Sequence, residues 1–282
     1  MVGTGVTRKA KHTRGVRTSV PGLLVRFALH AKWRHFINAP SNLGWMVLRR
    51  KYDAFTTDAA YDEKPSSWLG PLGWWADRRV RNYPLHVALR ERLAYTSAEI
   101  GVAIDERLAT RETVAVLTAP AGLCRDIVTA ARWVEHGALP RVRFTAVDID
   151  DRGDVIPEAQ ARCGVAQLDI EFERADVFAA RSLRDGRSYD VVNCIGLACW
   201  LTLDELERLL RLFRARVGVG ATLLIDNFAW HAHSALGDDL EIETRYHDRD
   251  AFVDRLSAAG FSVERERVTR NGVNTLFVAR AV

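Results

Sequence analysis

The sequence predicts an α/β protein: a doubly wound, mostly parallel sheet that closes in an antiparallel hairpin, preceded by a helical cap. Three observations carry this. Residues 112–150 read as strand, turn, helix and strand, the length that a right-handed parallel crossover needs. The alternation of apolar runs and helical patterns then continues toward the C-terminus. Finally, two β-rich runs, 261–270 and 273–281, flank Asn271-Gly272, a dipeptide that favours a tight hairpin turn.

At 282 residues the chain has room for one large domain with an added cap. Its 48% apolar and 27% charged residues suit a soluble globular protein, and no apolar run approaches membrane-spanning length. The net charge of +4 hides an asymmetry: residues 1–52 carry eleven Lys or Arg and no acid. Residues 1–20 are polar, basic and rich in Gly and Thr, and read as a flexible arm. They lack the interleaved aromatics of an RNA-binding platform, so nucleic acid is not the expected partner.

Residues 21–110 read as a helical cap. Leu23–Ile37 has helical spacing, and Gly44–Tyr52 follows as a short helix. Asp53–Pro71 reads as irregular because of Pro65 and the Gly70-Pro71 turn. Leu85, Leu89, Leu93, Ile100, Ile104 and Leu108 form a stripe along one long helix from Tyr83 to Ala109. Five of the eight tryptophans precede residue 76, and their density suggests packing over a site, with association into a homo- or hetero-oligomer through the cap.

Residues 111–282 form the sheet domain. Val114–Leu117 is a buried strand that runs into Ala119-Pro120-Ala121-Gly122, and the helical pattern Ile127, Ala130, Ala131, Val134 follows. A second strand closes on Asp148. Gln167–Arg174 is the next strand candidate, with Asp176-Val177 after it, and Tyr189–Ile195 is a fully buried one. Thr202 to Glu205 fits a capping box for the helix Leu206–Arg216. Gly218-Val219-Gly220 reads as a turn into the strand Ala221–Asp226. A helix from Asp248 to Ala259, stopped by Gly260, precedes the hairpin.

Four cysteines (124, 163, 194 and 199) show no metal-ligand spacing and read as reduced thiols of a cytoplasmic protein. No nucleophile elbow, phosphate loop or His-Glu-x-x-His motif is present, which removes the familiar serine hydrolase, P-loop kinase and zincin readings. His231-x-His233 beside Asp226 has no third ligand at family spacing, so no metal is expected. In crossover units of this kind ligands sit beyond the carboxyl ends of the strands, and an acid at the end of the second strand is placed to hold a ribose diol.

The order of elements resembles the class I S-adenosylmethionine-dependent methyltransferases, whose seven-stranded sheet has a reversed last strand. The likeness covers roughly residues 112–282. Against a variant of that family's first motif, Leu-Asp-Ala-Pro-Cys-Gly-Thr-Gly, the segment Leu117–Cys124 keeps Ala119, Pro120 and the central Gly122. Thr118 replaces the acid and Cys124 the last glycine, with Asp126 near enough to restore a charge. The resemblance implies S-adenosylmethionine as cofactor. It places Asp148 at the ribose, Asp176 and Val177 at the adenine, and Asn193, Cys194 and the residues after them beside the methionine part. Asp226 and His231 are candidates for a catalytic base after the fifth strand, with Asn227, Trp200 and His233 toward the substrate.

Three functions follow as expectations. The first is methyl transfer to a small-molecule acceptor of secondary metabolism, with the cap as selector. The second keeps the fold without the cofactor and closes a ring by intramolecular displacement, with Asp226 or His231 as base. The third is a non-catalytic partner subunit or nucleic-acid binder that uses the basic arm.

Overall fold

In the computed structural model, residues 40–66, 70–134, 138–230 and 242–282 are described. The basic arm, Leu23–Ile37, Trp33, Trp68, His231 and His233 all lie outside them.

The four helices that lead into the sheet are α1 (Asn42–Arg50), α2 (Ala54–Tyr61), α3 (Gly70–Arg81) and α4 (Pro84–Leu108). Helix α4 matches the apolar stripe. Helix α2 lies where the sequence reads as irregular. Asp53 makes it: its carboxylate accepts from the Thr56 N–H at 2.9 Å and caps the first turn. Helix α3 likewise begins at the expected Gly70-Pro71 turn, since proline is tolerated in a first helical turn. The cap segment is knitted by one buried carboxylate. Asp77 accepts from Ser41 Oγ (2.7 Å), the N–H groups of Leu43 (2.9 Å) and Ser66 (3.0 Å), and Arg81 Nε (2.6 Å). Burial opposes its charge, but those donors outweigh burial and hold the carboxyl below its ordinary value.

The remaining elements are β1 (Val114–Thr118), α5 (Arg125–Ala130), β2 (Val142–Asp148), α6 (Val155–Val165), β3 (Ile170–Arg174) and β4 (Tyr189–Cys194). They continue with α7 (Leu203–Arg214), β5 (Val217–Phe228), α8 (Arg249–Ala258), β6 (Phe261–Val268) and β7 (Asn274–Ala281). The seven strands lie in the order β3-β2-β1-β4-β5-β7-β6. All neighbours are parallel except β7, which runs antiparallel to both β5 and β6. The expected reversed last strand is present, and the hairpin turns at Asn271-Gly272, where Gly272 has φ +70°.

Three details differ from the sequence reading. The glycines at 218 and 220 lie within β5, whose pairing with β4 shifts register between Tyr189 and Val191. Helix α5 stops at Ala130 rather than Val134; just beyond it, Trp133 lies so close to Gly101 of α4 that an added Cβ there would meet it at 3.0 Å. Helix α6 carries no strong apolar period and is not expected from the sequence. It is anchored because Asp150 accepts from the Val155 N–H (2.9 Å) and the Ile156 N–H (3.2 Å).

The capping box at Thr202–Glu205 is formed, with both reciprocal bonds in place. Helices α7 and α8 cover one sheet face, burying Leu206, Leu209, Leu210, Phe213, Phe252 and Leu256. On the other face the C-terminal half of α4 (Ile100, Ala103, Ile104) packs with Ile127 of α5 against Val114, Val116, Val191 and Leu276. Its N-terminal half instead joins the cap, with Ala88 and Leu89 against Leu43, Ala60 and Val80. One helix thus belongs to both parts. Among the described residues no helix is long and apolar enough to cross a membrane.

Candidate active site

The chain proceeds from β1 to β2 on one side and later places β4 on the other side of β1, so the sheet changes direction between β1 and β4. Two crossovers diverge there, leaving a crevice at the carboxyl ends of the strands. A cavity of about 380 Å³ occupies it, walled by strand ends below and by α1, α2 and α4 above.

The turn after β1 forms its floor. Gly122 has φ +50°, and its N–H donates to Asp148 Oδ2 at 2.8 Å. Asp148 Oδ1 accepts from the Asp150 N–H at 3.0 Å. Two backbone donors therefore aim this carboxylate, while each oxygen keeps a lone pair for a further donor. Burial pushes the Asp148 carboxyl up, against those backbone donors. Cys124 takes the left-handed backbone (φ +53°) with its side chain turned inward among Ala121, Ala146, Ala159 and Cys163. The thiol therefore occupies the packing beneath the turn.

Thr118 is paired with Asn193, whose Nδ2 donates to Thr118 Oγ1 at 3.0 Å and also to Asp126 Oδ2. The acid missing from the end of β1 is thus replaced in space by one from the start of α5. Asp126 lines the cavity, and burial raises its carboxyl above the ordinary value.

The sequence-derived residues divide into two sets. Gly122, Asp126, Asp148 and Trp200 all line the cavity, whereas Ala119, Cys194, Asp176, Val177, Asp226 and Asn227 are not in its wall. Ala119 and Cys194 are fully buried in the sheet core, and burial lifts the Cys194 thiol well above its usual range. Asp176 closes its own turn, accepting from the Phe178 N–H at 2.9 Å, and Val177 packs beneath it in that core. Asn227 donates to the His247 carbonyl at 2.9 Å.

Asp226 has no idle oxygen. Its Oδ1 accepts from the Gly196 N–H (2.7 Å), and Oδ2 accepts from Arg92 Nη1 and Asn274 Nδ2, each at 2.9 Å. With its side chain 1% exposed and ion-paired to Arg92, it serves as an anchor for that arginine.

The sequence reading misses the roof. Arg92 donates through Nη2 to the Tyr61 hydroxyl at 2.8 Å and lies 5.5 Å from the Phe228 ring. Its neighbours push the guanidinium pKa upward despite burial. Tyr52 also lines the cavity, and its hydroxyl is 3.1 Å from His86 Nε2; His86 Nδ1 is 2.6 Å from the Val80 carbonyl. Burial lowers His86 to about 4, so the imidazole is neutral at pH 7. Tyr83, Leu85, Leu89, Phe228 and Tyr246 complete an aromatic and aliphatic wall. The only sequence signal for these was polar residues, His86 and Arg92, interrupting a long amphipathic helix.

Helix α2 is tied across the floor. Arg162 pairs with both oxygens of Asp58, and Arg125 reaches Asp62 at 2.6 Å and the Asp58 carbonyl at 3.0 Å. Ala54 comes to within 3.9 Å of where a Cβ on Gly122 would stand.

No family model and no curated protein matches this sequence. Solved structures do. A possible exported protein of Bordetella parapertussis superposes with a TM-score of 0.71 at 19% identity, covering 92% of this chain and 93% of that one. Magnesium protoporphyrin IX methyltransferase of Synechocystis, with bound S-adenosylhomocysteine, gives 0.57 at 12% identity over 84% of this chain and 97% of that one. An O-methyltransferase family protein of Burkholderia thailandensis gives 0.54 at 17% identity over 92% and 71%. The fold is that of the class I methyltransferases.

Proposed function

We propose that this protein transfers a methyl group from S-adenosylmethionine to a small-molecule acceptor, in reactions of secondary metabolism. The observation that carries the reading is the Asp148 carboxylate, aimed by the N–H groups of Gly122 and Asp150 into a 380 Å³ cavity at the sheet's change of direction. The donor set suits the cofactor. Asp148 would hold the ribose hydroxyls, and Asp126, restored to the β1 end through Asn193, would face the ammonium group. The cofactor supplies a methyl group already activated on a sulfonium. The protein's own part is then to align an acceptor and exclude water. Helices α1, α2 and α4 provide the roof that does this, with Tyr52, Tyr61 and Arg92 turned to the acceptor side. All four cysteines are free and buried, which suits a reducing, cytoplasmic compartment. Leu72, Trp74 and Trp75 are exposed on α3 and would serve a second copy or another subunit.

Calorimetric titration with S-adenosylhomocysteine tests the reading. The wild type should bind at roughly micromolar concentration, and Asp148→Ala should weaken binding at least about tenfold while still melting cooperatively as a folded protein, as expected for loss of charge-assisted hydrogen bonds. Absence of binding by folded wild-type protein at millimolar ligand would overturn it.

A further inference from the structure

Of the four tyrosines that line the cavity, Tyr52 and Tyr61 have hydroxyls whose hydrogen-bonding sense the chain fixes, in opposite directions. The first relay starts at a backbone carbonyl. The Val80 oxygen only accepts, so His86 Nδ1 carries the proton that reaches it at 2.6 Å. The imidazole is neutral, because burial lowers its pKa to about 4. Nε2 is therefore an acceptor, and the Tyr52 hydroxyl, 3.1 Å away, donates to it. Tyr52 Oη then has lone pairs left and no proton. The second relay starts at a cation. Arg92 only donates, and it is held by Asp226 at 2.9 Å with its side chain 3% exposed. Tyr61 Oη accepts from Arg92 Nη2 at 2.8 Å, which leaves the Tyr61 proton for another partner.

We infer that Tyr52 and Tyr61 are specificity-determining residues that read the acceptor in opposite senses: Tyr52 takes a hydrogen bond from it, and Tyr61 gives one. The molecule selected is flat and apolar, to suit Tyr83, Leu85, Leu89 and Phe228 in the wall, and carries both a protonated hydroxyl or amine and a carbonyl-type oxygen. The positive charge of Arg92 behind Tyr61 sharpens that hydroxyl as a donor. A methyl ether in place of the hydroxyl leaves Tyr52 facing an acceptor with no proton between them. In a buried site that mismatch forfeits one hydrogen bond. Calling this molecule the acceptor rests on the methyl-transfer reading; the recognition rule itself does not.

The experiment is a binding series by ligand-observed NMR on the full chain, with and without S-adenosylhomocysteine. The probes are meta- and para-hydroxyacetophenone, their methyl ethers, and ethylphenol, which lacks the carbonyl. Wild type should prefer a hydroxyacetophenone to its ether, and to ethylphenol, by about tenfold each, the worth of one buried hydrogen bond. Tyr52→Phe should abolish the first preference and keep the second; Tyr61→Phe should do the reverse. His86→Phe frees the Tyr52 proton to donate, so the ether should bind about as well as the phenol although Tyr52 is still present. Intact melting curves show that each variant folds. Retention of the hydroxyl preference in Tyr52→Phe, or equal binding of all probes by wild type, would overturn the inference. Failure of the homocysteine compound to bind, with probe selectivity intact, would instead count against methyl transfer alone.

Discussion

Two buried aspartate–arginine pairs, built from the same chemistry, do different work in this molecule. Asp77 and Arg81 lie within the cap, and their donors and acceptors are matched internally. Asp77 takes four donors, and Arg81 spends Nη1 on the carbonyls of Ala59 and Asp62. Asp226 and Arg92 join β5 to α4 at the cavity, and there the network stays open. Among the described residues Arg92 Nε has no hydrogen-bond partner, and Nη2 ends on a tyrosine hydroxyl that faces the crevice. A closed network holds shape, whereas an open one of equal burial reserves hydrogen-bonding capacity for something that arrives.

The contrast is broken most severely at the closed pair. Asp77→Ala leaves Arg81 charged and buried without its carboxylate, and should cost about 3–5 kcal/mol in urea unfolding. A loss under 1 kcal/mol, the scale of an ordinary surface pair, would mean the cap does not depend on this centre.

Next in size is the proton linkage of His86. An unfolded histidine titrates near 6.5 and the folded one at about 4, so the native state binds the proton less readily. The resulting stability is complete above pH 6.5 and is lost as pH falls through 4, on the order of 3 kcal/mol in all. His86→Phe should flatten the decline in melting temperature across that window; parallel curves for the two proteins would refute the linkage.

The smallest expected effect sharpens the comparison at the open pair. Lysine at position 92 keeps the charge toward Asp226 but lacks the fork that reaches Tyr61 as well. Arg92→Lys should therefore cost only about 1 kcal/mol of stability. Its main signature should be about tenfold weaker binding of hydroxyacetophenone, with ethylphenol unaffected. Equal losses for both probes would show that Arg92 acts only through folding.

The sheet was readable from sequence because its signals are local and repeated. Buried strands such as 189–194, the capping box at Thr202 and the Asn271-Gly272 turn each declare themselves within a few residues. Asp148 was also legible, since an acid at a strand end has a position fixed by the crossover. The roof was not. Tyr52 follows α1, Tyr61 ends α2, and His86 and Arg92 lie on α4; their partnerships span 31 to 134 residues. No periodicity reveals which polar residue on a helix meets which neighbour. The capture of Asp126 by Asn193, 67 residues apart, was hidden for the same reason. Asp226 misled because a strand-end carboxylate looks alike in sequence whether its oxygens are open or all engaged.

The ties across α2 bear on how this protein can change over generations. Asp58 faces Arg162 and Arg125, and Asp62 faces Arg125 again. A basic residue arriving at 58 would stand against two arginines from different helices, so the position drifts only in company with 125 and 162. Asp58, Asp62, Arg125 and Arg162 are therefore energetically coupled positions. Tyr52 and Tyr61, each tied into the roof by one side-chain hydrogen bond, are freer to exchange one at a time, and new acceptors would enter by that route.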